Sequence, residues 1–89
     1  MQQLDLEAAS QRVIQYMTRR DDLAPSQITE LSAGQLEDRS FEFIVRRETD
    51  GHRFLFRLDE IGLIIGRIDL EEYVIYSARM AQASEVLDE

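Results

Sequence analysis

The pair Asp50-Gly51 constrains this chain more than any other feature. It is a two-residue turn signal set in the stretch from Ser40 to Asp69, and the residues on both sides of it alternate between apolar and polar. A hairpin closed by a two-residue loop pairs Val45 with Phe56, Phe43 with Leu58, Arg47 with Phe54 and Glu48 with Arg53. In that register Phe41, Phe43, Val45, Phe54, Phe56 and Leu58 share one face of the ribbon. A slip of one residue would send half of them to the other side, so turn and pattern specify each other.

The rest of the chain must supply what covers that face. Eighty-nine residues allow a single domain, residues 1–89, with one core. With 44% hydrophobic residues the chain is too apolar for disorder, although its net charge of −8 is high for the length. A domain this small has a limited core and gains stability by associating with itself or a partner. Cysteine is absent, which removes disulfides, thiolate metal sites and cysteine nucleophiles. The start MQQLDLEAAS has neither the basic nor the apolar region of a signal peptide, and no apolar run reaches membrane-spanning length. The expected location is the cytoplasm, with no membrane contact.

Charge is distributed unevenly. Residues 1–38 hold seven acids and three arginines, residues 39–68 five acids and six arginines, and residues 69–89 six acids and one arginine. The hairpin region is therefore near neutral between acidic flanks. All ten basic residues are arginine. A GC-rich genome accounts for that bias by itself, but arginine also favours bidentate, partly desolvated pairing with carboxylates.

Residues 5–20 have helical periodicity. Asp5 is placed to cap, Leu6, Ala9, Val13, Tyr16 and Met17 form an apolar stripe, and Asp21-Asp22 with Pro25 end the helix. Residues 25–39 admit two readings. Gln27 to Leu31 alternates as an edge strand would, with a bend at Ser32-Ala33-Gly34, whereas Pro25 followed by Ile28, Leu31 and Leu36 suits a short helix. The strand is preferred, because a lone hairpin needs further strands to be stable. After a turn at Asp59 to Gly62, a strand over 63–68 is apolar on both faces except at Arg67, which predicts a central or covered position. Gly66 within it suggests a bulge or a close approach. Asp69-Leu70-Glu71-Glu72 opens a C-terminal helix, with Tyr73, Tyr76 and Met80 on one stripe. The expected fold is α+β, an antiparallel meander of three or four strands packed against an N-terminal helix, with a C-terminal helix. This order of elements resembles the cystatin-type and PepSY-type arrangement of one helix against a curved meander. The resemblance is confined to element order and carries over no residue.

No segment carries a catalytic, cofactor-binding or metal-binding pattern. His52 is the single histidine and sits beside the hairpin turn, where a solvated, structural role is expected. Direct nucleic-acid binding is opposed by the net charge, and the would-be recognition helix at Ser32 to Arg39 holds one arginine among acids. The informative surface is the second face of the hairpin, where Ile44 and Leu55 are bracketed by Arg46 and Arg57. An apolar centre with an arginine rim is usual interface anatomy, and the C-terminal helix is the intramolecular alternative for covering it. The reading is a non-enzymatic interaction module, an adaptor, regulator or inhibitor. It would contact another protein through Ile44, Arg46, Leu55, Arg57, Tyr73, Tyr76 and Met80, and self-associate as a homodimer. The alternative is an acidic mimic of nucleic acid that inhibits a DNA- or RNA-handling enzyme, with Asp21, Asp22, Glu71, Glu72 and Glu85 as its working groups.

Overall fold

A computed structural model describes residues 4–72. The chain begins with α1 (Leu6–Arg20), whose cap is the expected one: the Asp5 carboxylate accepts the Ala8 N–H at 2.7 Å. Ala9, Val13 and Met17, four residues apart in turn, are at most 1% exposed and face the sheet. Arg19 and Arg20 sit in the last turn, where the helix dipole favours cations. Asp21 closes the helix and Asp22 turns the chain with a φ of 53°.

Both readings of residues 25–39 are partly realised. Pro25–Gln27 forms one 3₁₀ turn, closed by the Gln27 side-chain carbonyl accepting the Ala24 N–H, and the chain then extends as β1 (Ile28–Gln35). The strand preference holds, but the expected bend at Ser32 to Gly34 lies inside the strand. A bulge between Glu30 and Ser32 absorbs the irregularity instead, and the turn falls after Gln35. There the Asp38 carboxylate accepts from both the backbone N–H and the hydroxyl of Ser40. β2 (Phe41–Arg47), β3 (Arg53–Leu58) and β4 (Ile64–Asp69) complete an antiparallel meander in the spatial order β1-β2-β3-β4. The fold is α+β.

The β2–β3 register differs from the expected one by two residues. Phe43 pairs with Phe56, Val45 with Phe54 and Phe41 with Leu58. The loop is four residues, with Arg47 N–H donating to the His52 carbonyl and Gly51 N–H to the Arg47 carbonyl, each at 2.8 Å. A two-residue loop of either primed type needs positive φ at its first residue, Asp50, whereas only Gly51 adopts it, at 75°. Asp50 instead folds its carboxylate inward to accept from the His52 N–H and from two nitrogens of Arg47, which holds the wider loop. Since side chains alternate with period two, the two-residue shift leaves every face assignment intact. Phe41, Phe43, Val45, Phe54, Phe56 and Leu58 are all 0–3% exposed and form the core with the helix stripe. Each such side chain contributes roughly 1.5–3 kcal/mol on burial.

The shift does remove the expected Glu48–Arg53 pair. Glu48 lies in the loop and bonds Arg46 at 2.6 Å, while Arg53 bonds Glu71 at 2.5 Å.

β4 is also corrected. It is an edge strand rather than a central one, and Leu63, 61% exposed, precedes it. The turn before it is as expected. Gly62 takes a φ of 89°, its N–H bonds the Asp59 carbonyl, and the Asp59 carboxylate accepts from Ile61 and Leu63. The register shifts opposite Arg57 and Leu58, so a bulge does accompany Gly66. Asp69 caps the next helical turn, residues 70–72, by accepting the N–H groups of Glu71 and Glu72. Tyr73, Tyr76, Met80 and any cover they provide for the sheet lie outside the described residues.

Candidate functional site

Two surfaces hold the side chains singled out above. The first is the sheet face opposite α1. Cross-strand neighbours share a face, so the pairings Ser32–Ile44, Ile44–Leu55 and Leu55–Ile68 place one serine and three aliphatics in a single row across all four strands. Ile68, 45% exposed, extends the expected two-residue patch to three. The neighbouring row toward the β2–β3 loop holds Thr29, Arg46 and Arg53, and the row on the other side holds Gly34, Glu42, Arg57 and Gly66. Arg46 and Arg53 stand directly opposite each other, an unfavourable like-charge pair. Each is neutralised locally: Glu48 bonds Arg46, and Glu71, at the start of the helical turn, bonds Arg53. These contacts hold both glutamates below the usual carboxylate range. Arg57 forms no ion pair among the described residues.

The second surface lies on the core face, where α1 ends. Asp21, at the helix C-terminus, accepts from Arg47 of β2 at 2.7 Å and from Arg67 of β4 at 3.1 Å through one oxygen. Arg47 is held a second time by Asp50, and the Arg47 guanidinium brings the Asp50 carboxyl down to about 2. Both guanidinium groups lie over the Phe54 ring, Arg67 at 4.4 Å and Arg47 at 4.8 Å from its centroid. They cover the Phe54 edge of the core near the end of the helix. A polar cleft of about 390 Å³ is lined by Arg20, Asp21, Arg47, Arg67, Asp69 and Glu72 together with Phe54.

His52 borders the same region. Its Nδ1 lies 2.9 Å from the Asp69 carboxylate, which raises the imidazole pKa above its ordinary value. Burial pushes Asp69 up, but His52 and the two capped N–H groups outweigh it and hold the carboxyl low. The turn histidine thus ties the β2–β3 loop to the end of β4.

Of the expected interface residues, Ile44, Arg46, Leu55 and Arg57 share the open face, and Tyr73, Tyr76 and Met80 lie outside the described residues. Ile68 was missed because the β3–β4 register depends on a bulge. The Asp21–Arg47–Arg67 cluster was missed because its members are 20 and 26 residues apart, with only a helix-stop aspartate and a lone strand arginine as signals. Among the acids of the mimicry alternative, Asp21 and Glu71 are engaged by arginines, Asp22 and Glu72 are exposed, and Glu85 lies outside the described residues. No helix among the described residues is long and apolar enough to cross a membrane. Compared with protein-family models, with curated proteins and with solved structures, the chain has no significant match.

Proposed function

We propose that this chain is a small, non-enzymatic protein-interaction module of the cytoplasm, an adaptor, regulator or inhibitor that also self-associates. The observation that carries the reading is the row Ile44–Leu55–Ile68 on the sheet face opposite the core, rimmed by Arg46, Arg53 and Arg57. An apolar row rimmed by polar side chains is the usual anatomy of a contact surface, and Arg46 and Arg53, held by Glu48 and Glu71, suit the rim of a contact. In this reading Arg57, with no carboxylate of its own among the described residues, meets an acid of the partner. The expected contact residues Tyr73, Tyr76 and Met80 lie outside the described residues.

The test is affinity capture from the native host's lysate with the parent chain and with Arg46→Glu plus Arg57→Glu. A protein retained in fixed stoichiometry by the parent and lost by the double variant, with both baits equally folded by circular dichroism, supports the patch. Equal retention by both removes the patch from the reading.

A further inference from the structure

The open face and the start of the C-terminal segment lie side by side. Ile68 ends the apolar row on β4, and the next residue, Asp69, caps the helical turn 70–72. Glu71 of that turn bonds Arg53 of the open face at 2.5 Å, so the turn is tied to that face. Asp69 and Glu72 also border the polar cleft at the end of α1. Two surfaces are therefore within reach of the chain beyond residue 72, one apolar and one polar. The residues that follow, Tyr73-Val74-Ile75-Tyr76, match the apolar one. Val74, Ile75 and Ala78 come three, four and seven residues after Glu71, the spacing that places them on its side of a continuing helix.

We infer that residues 73–89 of the chain itself fold over the open face as a displaceable cover of the row Ile44–Leu55–Ile68, with Val74, Ile75 and Ala78 against it, and that a partner binds by displacing them. The inference concerns the regulation of the contact surface in the proposed function and rests on that reading. Three observations select this occupant. The segment is tethered beside the row and its first turn is already tied to Arg53, which gives it a roughly millimolar effective concentration there. Its length fits: seventeen residues span roughly 25 Å as a helix, and a six- or seven-residue strand spans roughly 20 Å. Its charge fits as well, with Glu85, Asp88 and Glu89 against one arginine, Arg79, while the face sets Arg46, Arg53 and Arg57 against Glu42 and Glu48. A row of three aliphatics makes a small contact, so a partner displaces the cover at modest cost.

The chain has no cysteine, so Ser77→Cys in the full chain carries a single nitroxide label, on the side of a continuing helix away from Glu71. NMR line broadening is read in the labelled chain and in unlabelled chain mixed with labelled copies. The expected result is signal loss at Ser32, Ile44 and Leu55 in the labelled chain, none in the mixture, and much less at Ile61 and Leu63. Adding Val74→Lys plus Ile75→Lys should abolish that loss while the signals of Phe43 and Phe56 in the core stay in place. In unlabelled chain the same pair should raise retention of the captured partner about fivefold or more. Broadening in the mixture alone gives the face to a second copy and overturns the cover, as does broadening at Ile61 and Leu63, or at Arg20 and Asp21, in place of the row. No broadening of the row, with capture still dependent on Arg46 and Arg57, overturns this inference and leaves the patch standing. Broadening of the row, with capture unchanged by Arg46→Glu plus Arg57→Glu, overturns the patch and with it the regulation.

Discussion

On β2, Phe41, Phe43 and Val45 are at most 1% exposed, whereas Ile44, between two of them, is only half-buried. The same contrast holds on β3, with Phe54, Phe56 and Leu58 buried and Leu55 half-buried. Both faces carry large apolar side chains, so hydrophobicity alone does not decide which one closes. The closed face has a helix whose stripe of Ala9, Val13 and Met17 fits it, and two arginines seal its Phe54 edge near the end of the helix. On the open face Arg46 and Arg53 hold carboxylates of their own, Glu48 and Glu71, while Arg57 forms no ion pair among the described residues. A core face is defined by a complementary element, and among the described residues only one of the two faces has one.

The largest expected difference between the faces comes from Phe56→Ala. Phe56 is fully buried, pairs with Phe43 and meets the Tyr16 ring edge-on at 5.7 Å. Its loss should cost about 3–5 kcal/mol in urea denaturation. Next comes the seal. Asp21→Ala leaves Arg47 and Arg67, whose side chains are only 21% and 22% exposed, facing each other without their shared carboxylate. The expected cost is about 2–3 kcal/mol, and a double-mutant cycle with Arg67→Ala should show coupling. On the open face, Ile68→Ser should cost less than about 1 kcal/mol. A cost near that of Phe56→Ala would mean that this face is packed and would break the comparison.

The smallest effect is the pH dependence of the His52–Asp69 contact. The folded pKa of His52 is raised, so its stabilisation is complete below the unfolded value of about 6.5 and is lost as pH rises through the folded value. NMR titration should place the His52 midpoint above 6.5, and Asp69→Asn should return it toward that value. A midpoint at or below 6.5 in the parent would show that the loop is not tied to β4.

Much of this arrangement was legible from residue order. The helix stripe, the Asp5 and Asp69 caps, the Gly62 turn and both faces of the β2–β3 ribbon follow from local chemistry and from periods of 3.6 and 2. The open-face patch was half legible, since Ile44 and Leu55 belong to one hairpin and Ile68 does not. Loop length escaped because Asp50-Gly51 suits two turn geometries, and the Arg47 contact selects between them only once the strands are in place.

What the sequence by itself determined is which side chains share a face, because alternation survives any even shift of register. Tertiary structure decided the rest: the four-residue loop, the edge position of β4, the union of Asp21, Arg47 and Arg67, and the three-strand row on the open face. Apart from the loop, which Asp50 holds through nearby Arg47 and His52, those outcomes depend on bulges and on contacts between residues far apart in the chain. Their energies exist only when helix and sheet are assembled, so no local pattern encodes them.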